Sequence, residues 1–341
     1  MTEPSSWFYN GFFKSNLIDN SRERKQILLW TNYFSLSKNW LPSTHELQCP
    51  VPECDVTSDR DLLPNSSAII MHWRNVDEAD LPPECPDDSD SSSNSCPVLV
   101  MFNKEAPPNT GAGNVRKINN RIHVMATYRR DSDIYAPYGK IAWRSDSFKL
   151  PKLDPNRGTV CWLVSHCTTQ SNREVYVNNL KLHVNVTIYG KCGSESCPHT
   201  DVRACYEWLA QRCKFYLSFE NSICKDYSTE KLYYAMMTDM VPVVMGGDDY
   251  SRYLPSHSFI NIDDFASSEQ LGAYLKALDK DEAKYLEYFK WKERFKATFV
   301  PYQWLCDVCA LLHSAKVKDL KPRQDMISWW FKEAQCGVGS F

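Results

Sequence analysis

A chain of 341 residues, 43% hydrophobic and 24% charged, has the composition of an ordinary globular protein and the length for about two domains. Lys plus Arg number 39 and Asp plus Glu 42, so the formal net charge is -3, which excludes a general nucleic-acid binder. The 12 Gly and 19 Pro exclude collagen-like and low-complexity classes.

An apolar run over 26–34 is the first strand candidate. SAIIMHW (67–73), PVLVMFN (97–103) and RIHVMATY (121–128) are the next three. The stretch 82–97 is Pro, Ser and Asp nearly throughout and predicts a surface loop, with Cys85 and Cys96 at its base. The segment 150–158 carries two prolines and a glycine without periodicity, which places a domain boundary near residue 150: a domain over 1–150 and another over 151–341. Beyond it strands and helices alternate. TVCWLVSHC (159–167) is a strand, and Ser171 with Glu174 predicts a capping box opening a helix to about His183. VNVTIYG (184–190), KFYLSFEN (214–221), VPVVMGG (241–247) and SFINI (258–262) are strands; 201–213 and 229–240 are helices. Ser267 and Gln270 form a second capping box, before Leu271, Tyr274, Leu275 and Leu278 at i, i+3, i+4, i+7. This alternation predicts an α/β fold, a parallel sheet with helices on both faces and its ligand beyond the strand C-termini.

Fourteen cysteines are many for a cytosolic enzyme, and the sequence holds sequons at Asn65 and Asn185. Together they predict an oxidising, secretory-pathway lumen and disulfides rather than zinc, because no second Cys-x-x-Cys and no His pair at zinc spacing exist. Proximity predicts Cys49–Cys54, Cys85–Cys96 and Cys306–Cys309, and also pairs Cys192 with Cys197, for which Cys205 and Cys213 compete as partners. No apolar run of 18 residues exists, and the first residues lack a signal-peptide pattern, so the lumen reading implies an anchor or signal outside this chain.

The strand-end rule selects candidate chemistry. After strand 214–221 come Glu220, Asn221, Ser222, Lys225, Asp226, Tyr227, Glu230 and Lys231. After strand 159–167 come His166, Asn172 and Arg173. Lys231 and Arg173 are cations in first helical turns, where the dipole disfavours them; two such cations fit a bound diphosphate. No G-x-G-x-x-G and no Walker P-loop is present, so those devices hold no nucleotide here. Strand 97–103 delivers Glu105 ahead of two prolines, a candidate general base. The stretch 128–139 carries Arg129, Arg130, Asp131 and Asp133 on a predicted loop.

Residues 215–244, with L-S-F-E-N-S (217–222), D-Y-S-T-E-K (226–231) and V-P-V-V (241–244), closely resemble the donor-site signature of the α-1,3-fucosyltransferases of glycosyltransferase family 10, which reads roughly F-x-F-E-N-S, D-Y-x-T-E-K and V-P-V-V. TYRRDSDIYAPYG (127–139), MHWRN (71–75), NKEAPP (103–108), VSHCTTQSNR, VTIYGKCG and Cys306-x-x-Cys309 resemble further blocks of that family, so the resemblance runs from about 26 to 312. It implies a GT-B arrangement of two Rossmann-like domains with the active site in the cleft between them. The N-terminal domain would take the acceptor glycan and the C-terminal one GDP-fucose. It further implies inverting transfer of L-fucose from GDP-β-L-fucose to the 3-hydroxyl of N-acetylglucosamine, in the Golgi lumen, by type II membrane proteins. Residue by residue it gives Glu105 as catalytic base, Arg173 and Lys231 as diphosphate cations, and Asn221, Tyr227 and Glu230 as nucleotide or sugar contacts. His72, Trp73, Arg74, Arg129, Asp131 and Asp133 become acceptor-side candidates. No metal is expected to be required: Asp131-Ser132-Asp133 has the Asp-x-Asp form but falls in the acceptor domain, and a divalent metal such as Mn²⁺ is left open without being predicted. A GT-B transferase for another nucleotide sugar, or an inactive glycan-binding relative, are the alternative readings; intact Glu105, Arg173 and Lys231 speak against the second.

Overall fold

The structure is a computed structural model that describes residues 23–36, 39–84, 96–152, 154 and 157–339. The chain forms two compact units. Of the described residues, one comprises those up to Pro137 together with Pro301–Gln335; the other comprises those of Tyr138–Val300 together with 336–339. The division falls at residue 138 rather than near 150, because Gly139–Trp143 pairs within the second unit with the distant strand Phe295–Phe299.

The first unit is built on β1 (Lys25–Leu29), β2 (Cys54–Thr57), β3 (Ser66–His72), β4 (Val98–Asn103), β5 (Val124–Thr127) and β6 (Ile134–Tyr135). The order is β2-β1-β3-β4-β5-β6 and every pairing is parallel. All six residues of β4 are buried, as a parallel strand covered on both faces requires. Short 3₁₀ segments such as Trp73–Asn75 and Pro107–Asn109 follow the strands.

In the second unit come β7 (Gly139–Trp143), β8 (Gly158–Leu163), α1 (Arg173–Leu180), β9 (Val186–Tyr189), α2 (Val202–Ala210), β10 (Cys213–Phe219), α3 (Glu230–Met237), β11 (Val241–Met245), β12 (Ile260–Asn261), α4 (Ser268–Lys280), α5 (Glu282–Glu287) and β13 (Phe295–Phe299). A parallel sheet has the order β12-β11-β10-β8-β9, and β7 pairs antiparallel with β13. The expected α/β class with parallel sheets is thus the observed one. β8 stops at Leu163, short of the predicted 167, because Cys167 is drawn aside into a disulfide with Cys192.

The predicted capping boxes fare differently. Ser267 accepts from the Gln270 N–H at 3.3 Å and caps α4. Leu271, Leu275 and Leu278 are buried, whereas Tyr274 leans outward to bond the Tyr288 hydroxyl at 2.6 Å. Ser171 does not cap α1. Its hydroxyl donates to the Glu220 carbonyl at 2.7 Å, Glu174 accepts from the Thr169 N–H and hydroxyl, and Asn172 starts the helix at φ 53°.

The chain then returns to the first unit as α6 (Trp304–Leu312) and α7 (Met326–Lys332). All but one residue of α6 is buried, with Asp307 the exception. Trp304 stacks on Phe102 with ring centroids 4.3 Å apart, and Leu305, Val308 and Leu311 fill the same core as β1, β3 and β4. Burying such side chains contributes about 1.5–3 kcal/mol each.

α6 also overturns two predicted disulfides. Cys49 bonds Cys306 and Cys54 bonds Cys309, rather than Cys49–Cys54 and Cys306–Cys309. Residues at i and i+3 share one helix face, so both helix cysteines point at the sheet edge where Cys49 and Cys54 lie. Cys54, Cys309 and His313 cluster as metal ligands would, but both sulfurs are committed to the disulfide. Cys192 and Cys197 do not pair with each other either: the bonds are Cys167–Cys192, Cys197–Cys205 and Cys161–Cys213, and Cys224 bonds Cys336. Cys96 is disulfide-bonded, while its predicted partner Cys85 lies outside the described residues. Both sequon asparagines, Asn65 and Asn185, are exposed. No described helix is long and apolar enough to cross a membrane.

Candidate active site

In the second sheet β9 lies on one side of β8 and β10 on the other. The strand order therefore reverses between β8 and β10, and the crevice beyond their C-terminal ends is where open α/β sheets bind ligands. The loop after β8 ends in Arg173, and the loop after β10 runs from Glu220 to Lys231. The two loops are laced together. The Ser171 N–H donates to the Asn221 carbonyl at 3.3 Å, the Ser171 hydroxyl to the Glu220 carbonyl, and Arg173 Nη1 to the Phe219 carbonyl at 2.7 Å.

Glu220 is the hub. It is 1% exposed, and its carboxylate accepts from the Thr229 N–H at 2.8 Å, the Thr229 hydroxyl and the Lys231 ammonium at 3.2 Å. This recruits Thr229 away from capping α3, which starts without a side-chain cap. Lys231 also donates to Thr229 Oγ1 at 2.8 Å and Glu230 Oε1 at 3.1 Å. Burial pushes the Glu220 carboxyl up against the pull of Lys231; burial opposes ionisation of Glu230 too, but Lys231 beside it leaves that carboxyl below its ordinary value. Lys231 is held protonated, since its two carboxylates outweigh the loss of water. Its place in a first helical turn is therefore compensated by the chain itself before any anion arrives.

Arg173 is different. It is 3% exposed, and its guanidinium donates to two carbonyls, of Phe219 and of His166 at 3.2 Å. Its Nε has no partner. Burial lowers its pKa, with Glu220 the largest opposing charge. A buried cation whose hydrogen bonds go to carbonyls, with Glu220 acting on it only from a distance, leaves room for an anion in direct contact. Nearby, Asn221 Oδ1 and the Tyr250 hydroxyl are buried without partners. Gly246 and Gly247 close the far side: a Cβ on Gly246 would stand 2.5 Å from the Tyr250 hydroxyl, and one on Gly247 2.5 Å from the Cys224 carbonyl. At Gly247 the neighbour is backbone, so only glycine admits that approach. Tyr227, 1% exposed, completes the group. All five donor-side residues named from the sequence, Arg173, Asn221, Tyr227, Glu230 and Lys231, thus lie on these two loops and the helix starts that follow them.

In the first sheet the order reverses between β1 and β3, so β3 delivers His72 to the corresponding place. His72 is fully buried, and its N–H donates to Thr31 Oγ1 at 2.8 Å. Its Nδ1 bonds Asn75 Oδ1 at 2.7 Å; that oxygen also accepts from the Phe34 N–H, which places the imidazole proton on Nδ1. Nε2 is left a bare acceptor without a partner. Tyr33 and Phe34 flank the ring at 4.7 and 4.8 Å between centroids. Burial holds the imidazole neutral, down to about 4. The unfolded chain takes up the proton near the ordinary 6.5, and the folded one does not until about 4. Stability is then full above about 6.5 and falls as pH drops through this window, by about 3 kcal/mol in all from this group. Denaturant melts at pH 7 and pH 4 should show that fall, and His72→Gln should flatten it by most of this amount; identical slopes would refute it.

Glu105 follows β4 and is half-buried. Its backbone is fixed from both sides by Asn103, whose Oδ1 accepts from the Glu105 N–H and whose Nδ2 donates to the Glu105 carbonyl, both at 3.2 Å. Lys104 is buried and donates to the Pro137 and Pro301 carbonyls. Pro107 then begins a 3₁₀ turn with φ preset.

Four acceptor-side candidates have other partners. Trp73 is fully buried against Trp330, its indole N–H given to the Gly111 carbonyl at 2.8 Å. Arg129 is fully buried, forks onto Asp131 and donates to the Trp329 carbonyl at 2.6 Å. Asp133 accepts from the Met125 N–H and from Arg323. Trp73 and Arg129 are thus spent on packing and pairing with α7, whereas Asp131 and Asp133 pair with Arg129 and Arg323 while remaining exposed. Arg74 is exposed, its guanidinium 5.2 Å from the Phe34 ring centre, beside a groove lined by Asn75, Asp77, Gly113 and Asn114. The sequence places Glu220 at a strand end without marking it as the hub, and nothing local marks Tyr250.

Residues 153–330 match a family model described as glycosyltransferase family 10 (fucosyltransferase) C-term, and residues 22–139 match fucosyltransferase, N-terminal. The chain is 34% identical to alpha-(1,3)-fucosyltransferase C of Drosophila melanogaster, over 91% of this chain and 79% of that one. It is 36% identical to glycoprotein 3-alpha-L-fucosyltransferase A of the same organism, over 86% of this chain but 58% of that one. It is 33% identical to 4-galactosyl-N-acetylglucosaminide 3-alpha-L-fucosyltransferase 9 of Mus musculus, over 82% and 75%. A crystal structure of an alpha1,3-fucosyltransferase with GDP superposes with a TM-score of 0.56 at 15% identity, covering 93% of this chain and 97% of that one, and places the fold in the GT-B class.

Proposed function

Because the chain belongs to glycosyltransferase family 10, the fucosyltransferases, we propose that it transfers L-fucose from GDP-β-L-fucose to the 3-hydroxyl of an N-acetylglucosamine with inversion. The observation that carries the donor half is Arg173, a buried guanidinium without a carboxylate partner among the described residues, at a sheet switch point. The diphosphate of the donor supplies the missing negative charge. Arg173 with Lys231 stabilises the charge that grows on GDP as the glycosidic bond breaks. These cations do the work that a divalent metal does elsewhere, so the reaction is expected to run without one. Asn221, Tyr227 and Glu230 meet the nucleotide or its sugar; a carboxylate such as Glu230 accepts from hydroxyl or amide donors.

The acceptor half rests on Glu105. Inversion needs one carboxylate to take the acceptor hydroxyl's proton while that oxygen attacks from the face opposite the leaving group, and no covalent intermediate. His72 Nε2, a bare acceptor at the first sheet's switch point, suits a second acceptor hydroxyl. The disulfides and the two exposed sequons support residence in the Golgi lumen.

The direct test offers GDP-fucose, GDP-mannose and UDP-galactose with N-acetyllactosamine and with N-glycan core acceptors. Fucose in α-1,3 linkage, from GDP-fucose alone, is the expected product; transfer from another donor would overturn the proposal. In calorimetric titration, Arg173→Ala should weaken GDP by about 1.5–3 kcal/mol, the worth of a hydrogen bond to a charged group. Unchanged affinity in a folded variant would remove Arg173 from the donor site.

A further inference from the structure

We propose that the Cys224–Cys336 disulfide, with the strand-like pairing beside it, positions the donor loop 221–228 and so sets affinity for the nucleotide sugar from outside the site. The inference rests on the donor-site reading above. Cys224 is fully buried at the centre of that loop. On its inner side Gly247 approaches its backbone too closely for any side chain, Lys225 bridges to Gly247, and Asp226 takes a left-handed φ of 62°. A non-glycine residue holds such a conformation only where its surroundings impose it.

On the outer side stands the segment 336–339. The Gly337 N–H donates to the Ile223 carbonyl at 2.8 Å, and the Gly337 carbonyl accepts from Gln170 Nε2. Gln170 Oε1 in turn accepts from the Ile223 N–H, and Asn172 Nδ2 donates to the Gly339 carbonyl at 3.3 Å. One short segment therefore grips both the loop that carries Asn221 and Tyr227 and the turn that launches Arg173. Gly337 is exposed and Val338 is 65% exposed, so burial of apolar area does not hold the segment down. The covalent tie supplies its order, removing conformations that would otherwise oppose the pairing.

A merely stabilising crosslink would move the melting temperature and leave the split between KM and kcat untouched. The positioning role predicts otherwise. Cys224→Ser with Cys336→Ser should raise KM for GDP-fucose and Kd for GDP by at least about tenfold, since small misplacement of binding groups is costly. The same variant should keep kcat within about threefold, the pattern of lost ground-state binding. Gly337→Pro deletes the N–H that pairs with the Ile223 carbonyl and sets the ring Cδ against that oxygen, breaking the pairing with the disulfide intact. It should raise the same constants at least about fivefold, since the loss is no less than one hydrogen bond. Cys197→Ser with Cys205→Ser removes a crosslink outside both loops and should leave KM unchanged. Wild-type GDP affinity in both the double variant and Gly337→Pro would overturn the proposal; if the double variant fails to fold, Gly337→Pro decides alone. A wild-type chain that does not bind GDP would overturn the donor-site reading, and this inference with it, in a titration that needs no variant.

Discussion

Glu105→Gln is expected to lower fucosyl transfer by about 10²–10⁴-fold, the usual contribution of a positioned general base. The substitution keeps the shape of the side chain but removes its capacity to take a proton. The backbone of residue 105 is bracketed by Asn103 and followed by Pro107, so the amide should occupy the carboxylate's place without disturbing the fold. GDP affinity should stay near that of the parent, because the donor residues belong to the other unit. Initial rates and GDP titration on the same preparation separate the two effects. A rate within about threefold of the parent would exclude Glu105 as base. Asp131 and Asp133 are then poor substitutes, since Arg129 and Arg323 already engage them.

Lys231→Ala is expected to lower stability and donor affinity together. The variant leaves the fully buried Glu220 carboxylate with Thr229 but without its ammonium partner. Breaking a buried pair from one side costs about 3–5 kcal/mol, because an uncompensated charge remains. Glu220→Gln combined with Lys231→Met removes both charges and should recover most of that stability, since a neutral buried pair carries no desolvation cost for ions. It should not recover GDP affinity if the ammonium faces the diphosphate. The double-mutant cycle read by thermal melting and GDP calorimetry thus divides the structural from the binding role. Parental melting and affinity in Lys231→Ala would contradict both.

The sequence by itself determined the α/β alternation and the donor loops. Both depend on short-range signals: apolar runs of strand length, turn residues, and a contiguous block over 215–244 whose polar residues follow a strand. Such features are written within a few residues of one another, so the chain discloses them before it folds. Tertiary structure decided what depends on distant partners. Cys49 and Cys306 are 257 residues apart, and their pairing follows from where α6 packs, not from the nearness of Cys49 to Cys54. Arg129 reads as a ligand on a polar loop, but Asp131 pairs its charge and the Trp329 carbonyl of α7, 200 residues on, accepts from its Nη1. Ser171 had the spacing of a cap, yet the carbonyl of Glu220, 49 residues on, claims its hydroxyl. The boundary moved from 150 to 138 for the same reason, because β7 chooses β13 across the chain. In each case a long-range contact offered a buried group better satisfaction than its local alternative, and burial makes that difference decisive.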